Sequence, residues 1–196
     1  MPVVRIAESD AEFEQILELQ RQYHVRTLDP EVQRVEGFVF AEHSLPLLRR
    51  MAAELPQAIA LSDGKVVGYC LAMARALRED IPSLTPLFAH LEHCTFDGAP
   101  VTARGFWVGG QVCVDRAFRG QRLLARLYEA IARAVPPDHT LCVTEIAFRN
   151  EVSRRAHAHL GFVPISAYSD GQEEWEVVAW DVRRVQRDRF TSPASR

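Results

Sequence analysis

Apolar residues along this chain recur at two spacings, close to 3.6 in some windows and close to 2 in others, and the switches between them predict an alternating series of helices and strands. Val3–Ala7 alternates weakly and reads as a first strand. Ser9 and Asp10 then supply N-cap side chains for a helix over about Ala11–Tyr23, in which Phe13, Ile16, Leu17 and Leu19 keep helical spacing. A second helix is predicted over Ser44–Glu54, with Pro46 in its first turn and Pro56 beyond its end. Ala58–Leu61 and Val66–Ala74 flank Asp63-Gly64, the signature of a β-hairpin. Leu77–Arg104 is punctuated by Pro82, Pro86 and Pro100 and holds no sustained strand pattern, although Leu84–Cys94 has helical character; it reads as an insert that shapes a pocket or a partner surface.

Beyond the insert the pattern becomes stronger. Phe106–Val114 is apolar on both faces, as a strand buried on both sides would be, and Gly109-Gly110 within it predicts a bulge or a close backbone approach. Gln121–Val135 carries one apolar face, Leu123, Leu124, Leu127, Tyr128, Ile131 and Val135, opposite a stripe of Arg122, Arg126, Glu129 and Arg133. Pro136-Pro137 ends that helix. Leu141–Phe148 reads as a strand, Asn150 caps a helix that Gly161 closes, and Phe162–Ile165 with Trp175–Val182 are the closing strands. The fold class is therefore α/β (α+β), helices and strands in one domain over residues 1–182, followed by a basic tail over 183–196 expected to be solvated and frayed.

Charge narrows the chemistry. The 196 residues carry a net charge of -3, and 22 of the 23 basic residues are arginine. The single lysine, Lys65, follows Asp63-Gly64 on a hairpin tip and precedes Val66, which excludes a phosphate-loop lysine and argues against a Schiff base. The tail from Arg183 holds five arginines and one aspartate, +4, so the body carries -7. A body so charged is a poor partner for duplex nucleic acid, and no nucleic-acid partner is expected. Cys70, Cys94, Cys113 and Cys142 show no metal-type spacing and read as small core residues in a reducing compartment. No window approaches the ~20 apolar residues of a membrane span and no leader pattern opens the chain, so a cytoplasmic protein with no membrane partner and no bound metal is expected.

Two segments carry candidate chemistry. Val112-Cys113-Val114 runs through Asp115 to Arg119-Gly120-Gln121-Arg122-Leu123-Leu124 into a helix, and a strand–turn–helix unit aims unsatisfied main-chain N–H groups and the positive helix end at one spot suited to a phosphate. In Asn150–Phe162, Ser153 and His157 lie four apart along the edge of the buried stripe Val152, Ala156 and Leu160, so His157 faces a cleft or the core while His159 projects elsewhere. His157 alone fits a hydrogen-bonded packing residue as well as a catalytic one.

Together and in this order, these segments resemble the GNAT superfamily of N-acetyltransferases over most of the chain, most specifically from Val112 to Phe162. In that family a strand leads into Arg/Gln-x-x-Gly-x-Gly/Ala, whose amides hold the coenzyme A pyrophosphate. Arg119 fills the first position, Arg122 and Leu124 stand where the motif has Gly and Gly/Ala, and Asn150, Ser153, His157 and Gly161-Phe162 match the later helix, with His157 in place of a frequent Tyr. The resemblance implies a mixed, mostly antiparallel central sheet flanked by helices, with a splayed strand pair holding acetyl-CoA as co-substrate, bound by Val112, Cys113, Val114, Arg119, Gly120, Gln121, Arg122, Leu123, Leu124 and Asn150. It implies direct acetyl transfer to a primary amine of a small molecule or peptide, and a homodimer is one assembly it allows. A non-catalytic acyl-CoA binding module and an interaction scaffold are the alternative readings.

The chemistry poses two proton problems. An amine with a pKa near about 10.4 is neutral in about one molecule in 2,500 at pH 7, so a base helps; the leaving thiol, with a pKa near about 8.5, needs less assistance. His157, matching the family's Tyr position, is the candidate acid for the thiolate. Glu145, a carboxylate in an apolar strand, is the candidate base, with Asp115 and His24 behind it and a satisfied strand-edge carboxylate as the alternative. Cys113 reads as a small apolar strand residue rather than an acetyl-accepting nucleophile. The main-chain N–H groups of Val112–Val114 are expected to polarise the acetyl carbonyl, and the acceptor pocket to draw on the first helix, the insert and the closing strands.

Overall fold

The computed structural model describes residues 1–191, with side chains through Arg187. In chain order the elements are β1 (Val3–Ile6), α1 (Asp10–Tyr23), α2 (Pro30–Glu36), α3 (Leu45–Glu54), β2 (Ala58–Ser62), β3 (Lys65–Met73), α4 (Thr85–Leu91), β4 (Thr95–Phe96), β5 (Ala99–Pro100), β6 (Gly105–Val114), α5 (Leu123–Ala134), β7 (His139–Ala147), α6 (Glu151–Leu160), β8 (Val163–Ser169), β9 (Glu174–Asp181) and α7 (Arg183–Thr191). Seven strands form one sheet in the order β1-β2-β3-β6-β7-β9-β8, and β4 and β5 make a separate small hairpin inside the insert. Every neighbouring pair of the large sheet is antiparallel except β6 with β7. The mixed, mostly antiparallel sheet that the resemblance implies is the one observed.

Local chemistry explains the ends of the elements. The Glu12 carboxylate in the first turn of α1 accepts from the N–H groups of Glu8 at 2.7 Å and Ser9 at 3.2 Å. Ser44 Oγ accepts from Leu47 N–H ahead of α3, and Asp63 and Gly64 adopt the left-handed φ values of 50° and 75° that a two-residue hairpin turn requires. Helix α2 was not anticipated. Its signal is the pair Asp29-Pro30, an N-cap followed by proline at the first helical position. β8 runs to Ser169, four residues past the expected end. The tail begins not as a frayed segment but as α7, because Val185 packs beside the α5 core and Gln186 Nε2 donates to His139 O at 3.2 Å; residues 192–196 lie outside the described part.

Two cores cover the sheet. Ile16, Leu48, Leu71, Val143 and Val177 pack beneath α1, α3 and the insert, while Cys70, Trp107, Leu127, Ile131, Cys142 and Val178 pack beneath α5. Phe106 and Val108 belong to the first core and Trp107 to the second, which is why β6 is apolar on both faces. Truncating fully buried Leu127 to alanine would cost ~2–5 kcal/mol.

The central strands set up the site. Leu71 pairs with Gln111 and Ala72 with Gly109, so Gly110 is the extra residue of a bulge in β6. The bulge expected at Gly109-Gly110 is therefore present, but the close neighbour is a side chain rather than another backbone: a Cβ on Gly109 would lie 3.0 Å from the Tyr128 hydroxyl. The parallel pairing of β6 with β7 ends at Val108 and Val143, and beyond it the strands separate. Thr144 Oγ1, which donates to Gly109 O at 2.7 Å, pins the point where the split opens.

Candidate functional site

Two cavities lie along this split. The larger, about 470 Å³, runs between the turn into α5, the end of β6, α6 and the segment after α2. The smaller, about 80 Å³, sits at the bulge. They share walls at Phe38, Val39, Val112, Asn150, Ser153 and His157.

The turn into α5 supplies the larger cavity's main polar feature. Gly120 and Arg122 are left-handed, with φ of 77° and 57°, which turns consecutive amides toward one side. From Gly120 through Ala125, no main-chain N–H donates to an acceptor among the described residues. The first helical N–H groups have no intrahelical acceptor by construction, so the row ends on the positive end of α5. Of this stretch, Gly120, Arg122, Leu123, Leu124 and Ala125 line the cavity; Gln121 is exposed and does not.

On β6, amides alternate sides along the strand. Asp115 N–H donates to Val67 O of β3, so the Cys113 amide points the same way. The amides of Val112 and Val114 therefore face the open side of the split, and that of Cys113 does not. This corrects the expectation that all three would face an acyl group. The Cys113 side chain lines the larger cavity, but burial pushes its thiol up to about 12, as fits a packed strand residue. All four cysteines are buried and free.

Arg119 is more committed than its position suggested. Its Nε donates to Val114 O at 3.1 Å and its Nη1 to Glu36 O at 2.8 Å, and its guanidinium stacks over Tyr23 at 5.4 Å. It ties the turn to the C-terminal end of α2 along the cavity wall. The exposed Arg122 carries the turn's other cation at the cavity edge. Asn150 acts as a clasp: Oδ1 accepts from Ser153 N–H at 3.2 Å and Nδ2 donates to Phe38 O at 3.0 Å. A Cβ on Gly37 would meet Asn150 Oδ1 at 2.9 Å, so glycine is needed there for close approach as well as for its φ of 73°.

His157 lies at the junction of the cavities, 3% exposed. Its Nδ1 contacts Ser153 O at 2.8 Å and can only donate to it; its Nε2, 2.9 Å from the Tyr128 hydroxyl, is then left to accept. Burial lowers its pKa to about 4, so the ring is neutral at pH 7. The acid role expected of His157 does not fit this arrangement, since its one proton is held by a carbonyl and the proton at Nε2 belongs to Tyr128. In the sequence Tyr128 is one residue of an apolar helix face, and nothing there marks its hydroxyl.

Glu145 lines the smaller cavity. Burial raises its carboxyl to about 8, the largest effect on it, against which the hydrogen bond donated by the Tyr168 hydroxyl to Oε2 acts. The runner-up bases are elsewhere engaged: Asp115 Oδ1 accepts from Ala117 N–H at 2.8 Å, and buried His24 is held by Phe40 O and Arg26 N–H. The smaller cavity also holds Gln111, which sequence reasoning missed; a lone polar residue after Gly-Gly in an apolar strand was its signal. Gln111 accepts from Tyr69 Oη at 2.5 Å and donates to Ala41 O at 2.7 Å, fixing the loop that carries Phe38 and Phe40. Of the elements expected around an acceptor, the insert supplies Ser83 and Leu84 and the closing strands Trp175; α1 contributes no wall here. Among the described residues no cluster is placed to hold a metal and no helix is long and apolar enough to cross a membrane.

Comparison with known proteins places the fold. No family model and no curated protein matches the sequence. Solved structures do match. A putative acetyltransferase from Salmonella typhimurium, solved with its cofactor acetyl-CoA, is 18% identical with a TM-score of 0.56, over 93% of this chain and 94% of that one. A GNAT superfamily phosphinothricin acetyltransferase from Sinorhizobium meliloti, in complex with AcCoA, is 16% identical with a TM-score of 0.58, over 92% and 88%. A GNAT family acetyltransferase from Streptococcus pneumoniae is 12% identical with a TM-score of 0.59, over 92% and 99%. The chain has the fold of the GNAT acetyltransferases along nearly its whole length.

Proposed function

We propose that this protein is an acyltransferase that moves an acetyl group from acetyl-CoA to a primary amine by direct transfer. The observation that carries this reading is the row of N–H groups from Gly120 to Ala125, without an acceptor among the described residues, opening on a cavity that leads to the split between β6 and β7. Such a row suits a diphosphate, with Arg122 adding charge at its edge and Arg119 holding the turn in shape. The acetyl-CoA bound in two of the solved relatives fits the same assignment. In this reading the Val112 and Val114 amides polarise the acetyl carbonyl beside the bulge.

Glu145 takes a proton from the bound ammonium, leaving a neutral amine whose lone pair attacks the acetyl carbon. The new C–N bond forms and the C–S bond breaks. The nitrogen loses its second proton and the departing thiolate gains one through solvent, so the net release is one proton per turnover. Since Glu145 titrates near about 8, its basic form accumulates as pH rises to that value. His157 keeps the Tyr128 hydroxyl in place by accepting from it and supplies no proton to the reaction.

The test has two arms. Calorimetric titration with acetyl-CoA should show stoichiometric binding, and thiol release over a panel of amines, polyamines and peptides should show turnover. Binding without turnover would leave the acyl-CoA binding module, a reading that the neutral, fully engaged His157 favours among the alternatives. Absence of binding at millimolar acetyl-CoA would leave the scaffold.

A further inference from the structure

We infer that the acceptor is a primary amine bearing no carboxylate on the carbon next to the nitrogen, and that its first substituent is apolar. This deepens the acyltransfer reading and rests on it. The smaller cavity, the one that borders Glu145, is walled by the rings of Phe38, Phe40 and Trp175, with Phe40 and Trp175 edge to face at 5.2 Å. A lone carboxylate among aromatic rings attracts an ammonium by charge and by the ring faces. Among the described residues no arginine or lysine lines this cavity.

The places where a carboxylate could settle are closed. Arg149, whose guanidinium lies 4.2 Å from the centre of the Phe38 ring, is paired with Glu173 at 2.6 Å and donates to Gln33 Oε1 at 2.7 Å. The first turn of α6 is capped by Asn150 and begins with Glu151. Both ends of the Gln111 amide are engaged, and His157 is neutral. An acceptor carboxylate would instead sit beside Glu145 once that base is ionised. Two carboxylates about 5 Å apart at an effective dielectric of about 20 repel enough to cost about two hundredfold in binding.

The experiment measures kcat/KM for acetyl transfer by the wild-type protein to matched sets: 2-phenylethylamine, phenylalanine amide and phenylalanine, then 3-methylbutylamine, leucine amide and leucine. The amines should exceed the acids by about a hundredfold or more, with the uncharged amides close to the amines. Acids within tenfold of the amines would overturn the inference and leave the transferase reading intact. Amides rejected as strongly as the acids would also overturn it, since size rather than charge would then be discriminating. Acetyl-CoA binding with no turnover of any probe would overturn the transferase reading, and the acceptor inference with it.

Discussion

At the α5 end of the cleft the polar groups are main-chain amides, whereas around the smaller cavity they are side chains: Gln111, Tyr128, Thr144, Glu145 and His157. Main-chain donors need only the right backbone path, so Arg122 and Leu124 stand where the motif has small residues without blocking the amides. Side-chain groups depend on which residues stand there and on how deeply they are buried. Burial sends Glu145 up to about 8 and His157 down to about 4 within one small region. The backbone half of the site should therefore tolerate substitution of its side chains, and the side-chain half should not.

The largest break in that contrast is expected from Glu145→Gln. Removing the base should lower kcat/KM by about a thousandfold, within the usual span of general-base effects, while acetyl-CoA affinity stays within twofold. An unchanged rate in single-turnover measurements would reduce Glu145 to a packing residue. In the wild type, kcat/KM should rise with pH toward a plateau above about 8, as the carboxyl ionises; Glu145→Gln should lack that plateau, its much lower rate following the neutral fraction of the amine upward toward a pH of about 10.

Next in size is acid sensitivity. The folded-state pKa of His157 lies below its unfolded value, so between about 6.5 and 4 the unfolded chain binds the extra proton. The stability His157 contributes is present above that window and is lost as pH falls through it, on the order of 3 kcal/mol in all. His43, also lowered to about 4 by burial, adds to the same slope. Glu145 acts on the other side: its raised pKa means the folded state holds the proton between about 4.5 and 8, and stability declines as pH rises through that range. Denaturant midpoints measured from pH 7 to 4 should fall. His157→Gln, which leaves Tyr128 an acceptor but cannot be protonated, should flatten part of that fall.

The same contrast explains what the sequence made legible. Strand β6, helix α5 and the Asn150 cap were readable because each is a contiguous run whose period or cap lies within about a dozen residues. The turn at Arg119–Leu124 was readable for the same reason, although the αL backbone at Arg122 was not, since arginine gives no sign of it. The smaller cavity is assembled from the loop at Phe38–Ala41, the insert, the bulge, β7 and Trp175, segments tens of residues apart. Glu145 could be singled out as a carboxylate in an apolar strand, but its partner Tyr168 could not. The partner of His157, Tyr128, lies 29 positions away on another helix, so the neutral state of the ring was invisible without the fold.

A smaller effect is expected on the backbone side. Gly120 sits at φ 77° with open space where a Cβ would go, so Gly120→Ala meets strain and no clash. The strain, roughly 1–2 kcal/mol, should turn the amides out of line and weaken acetyl-CoA binding about tenfold. Unchanged binding by calorimetry would mean that the amides downstream of Arg122 suffice.

Arg122→Gly should have the smallest effect and separates backbone from side chain most directly. Arginine at φ 57° carries about 1 kcal/mol of left-handed strain; glycine removes it but gives back roughly half to all of that through the freedom of its unfolded chain. The net change in unfolding free energy should lie within about 0.5 kcal/mol of zero, read from denaturant midpoints. The variant also loses an exposed positive charge at the cavity edge, whose effect on a diphosphate fades as added salt shortens the Debye length from about 10 Å at 0.1 M to about 3 Å at 1 M. Acetyl-CoA should therefore bind the variant about threefold more weakly at low salt and equally well near 1 M. A difference that persists at high salt would mean that the arginine side chain makes a direct, desolvated contact, and that this half of the site is not built from backbone alone.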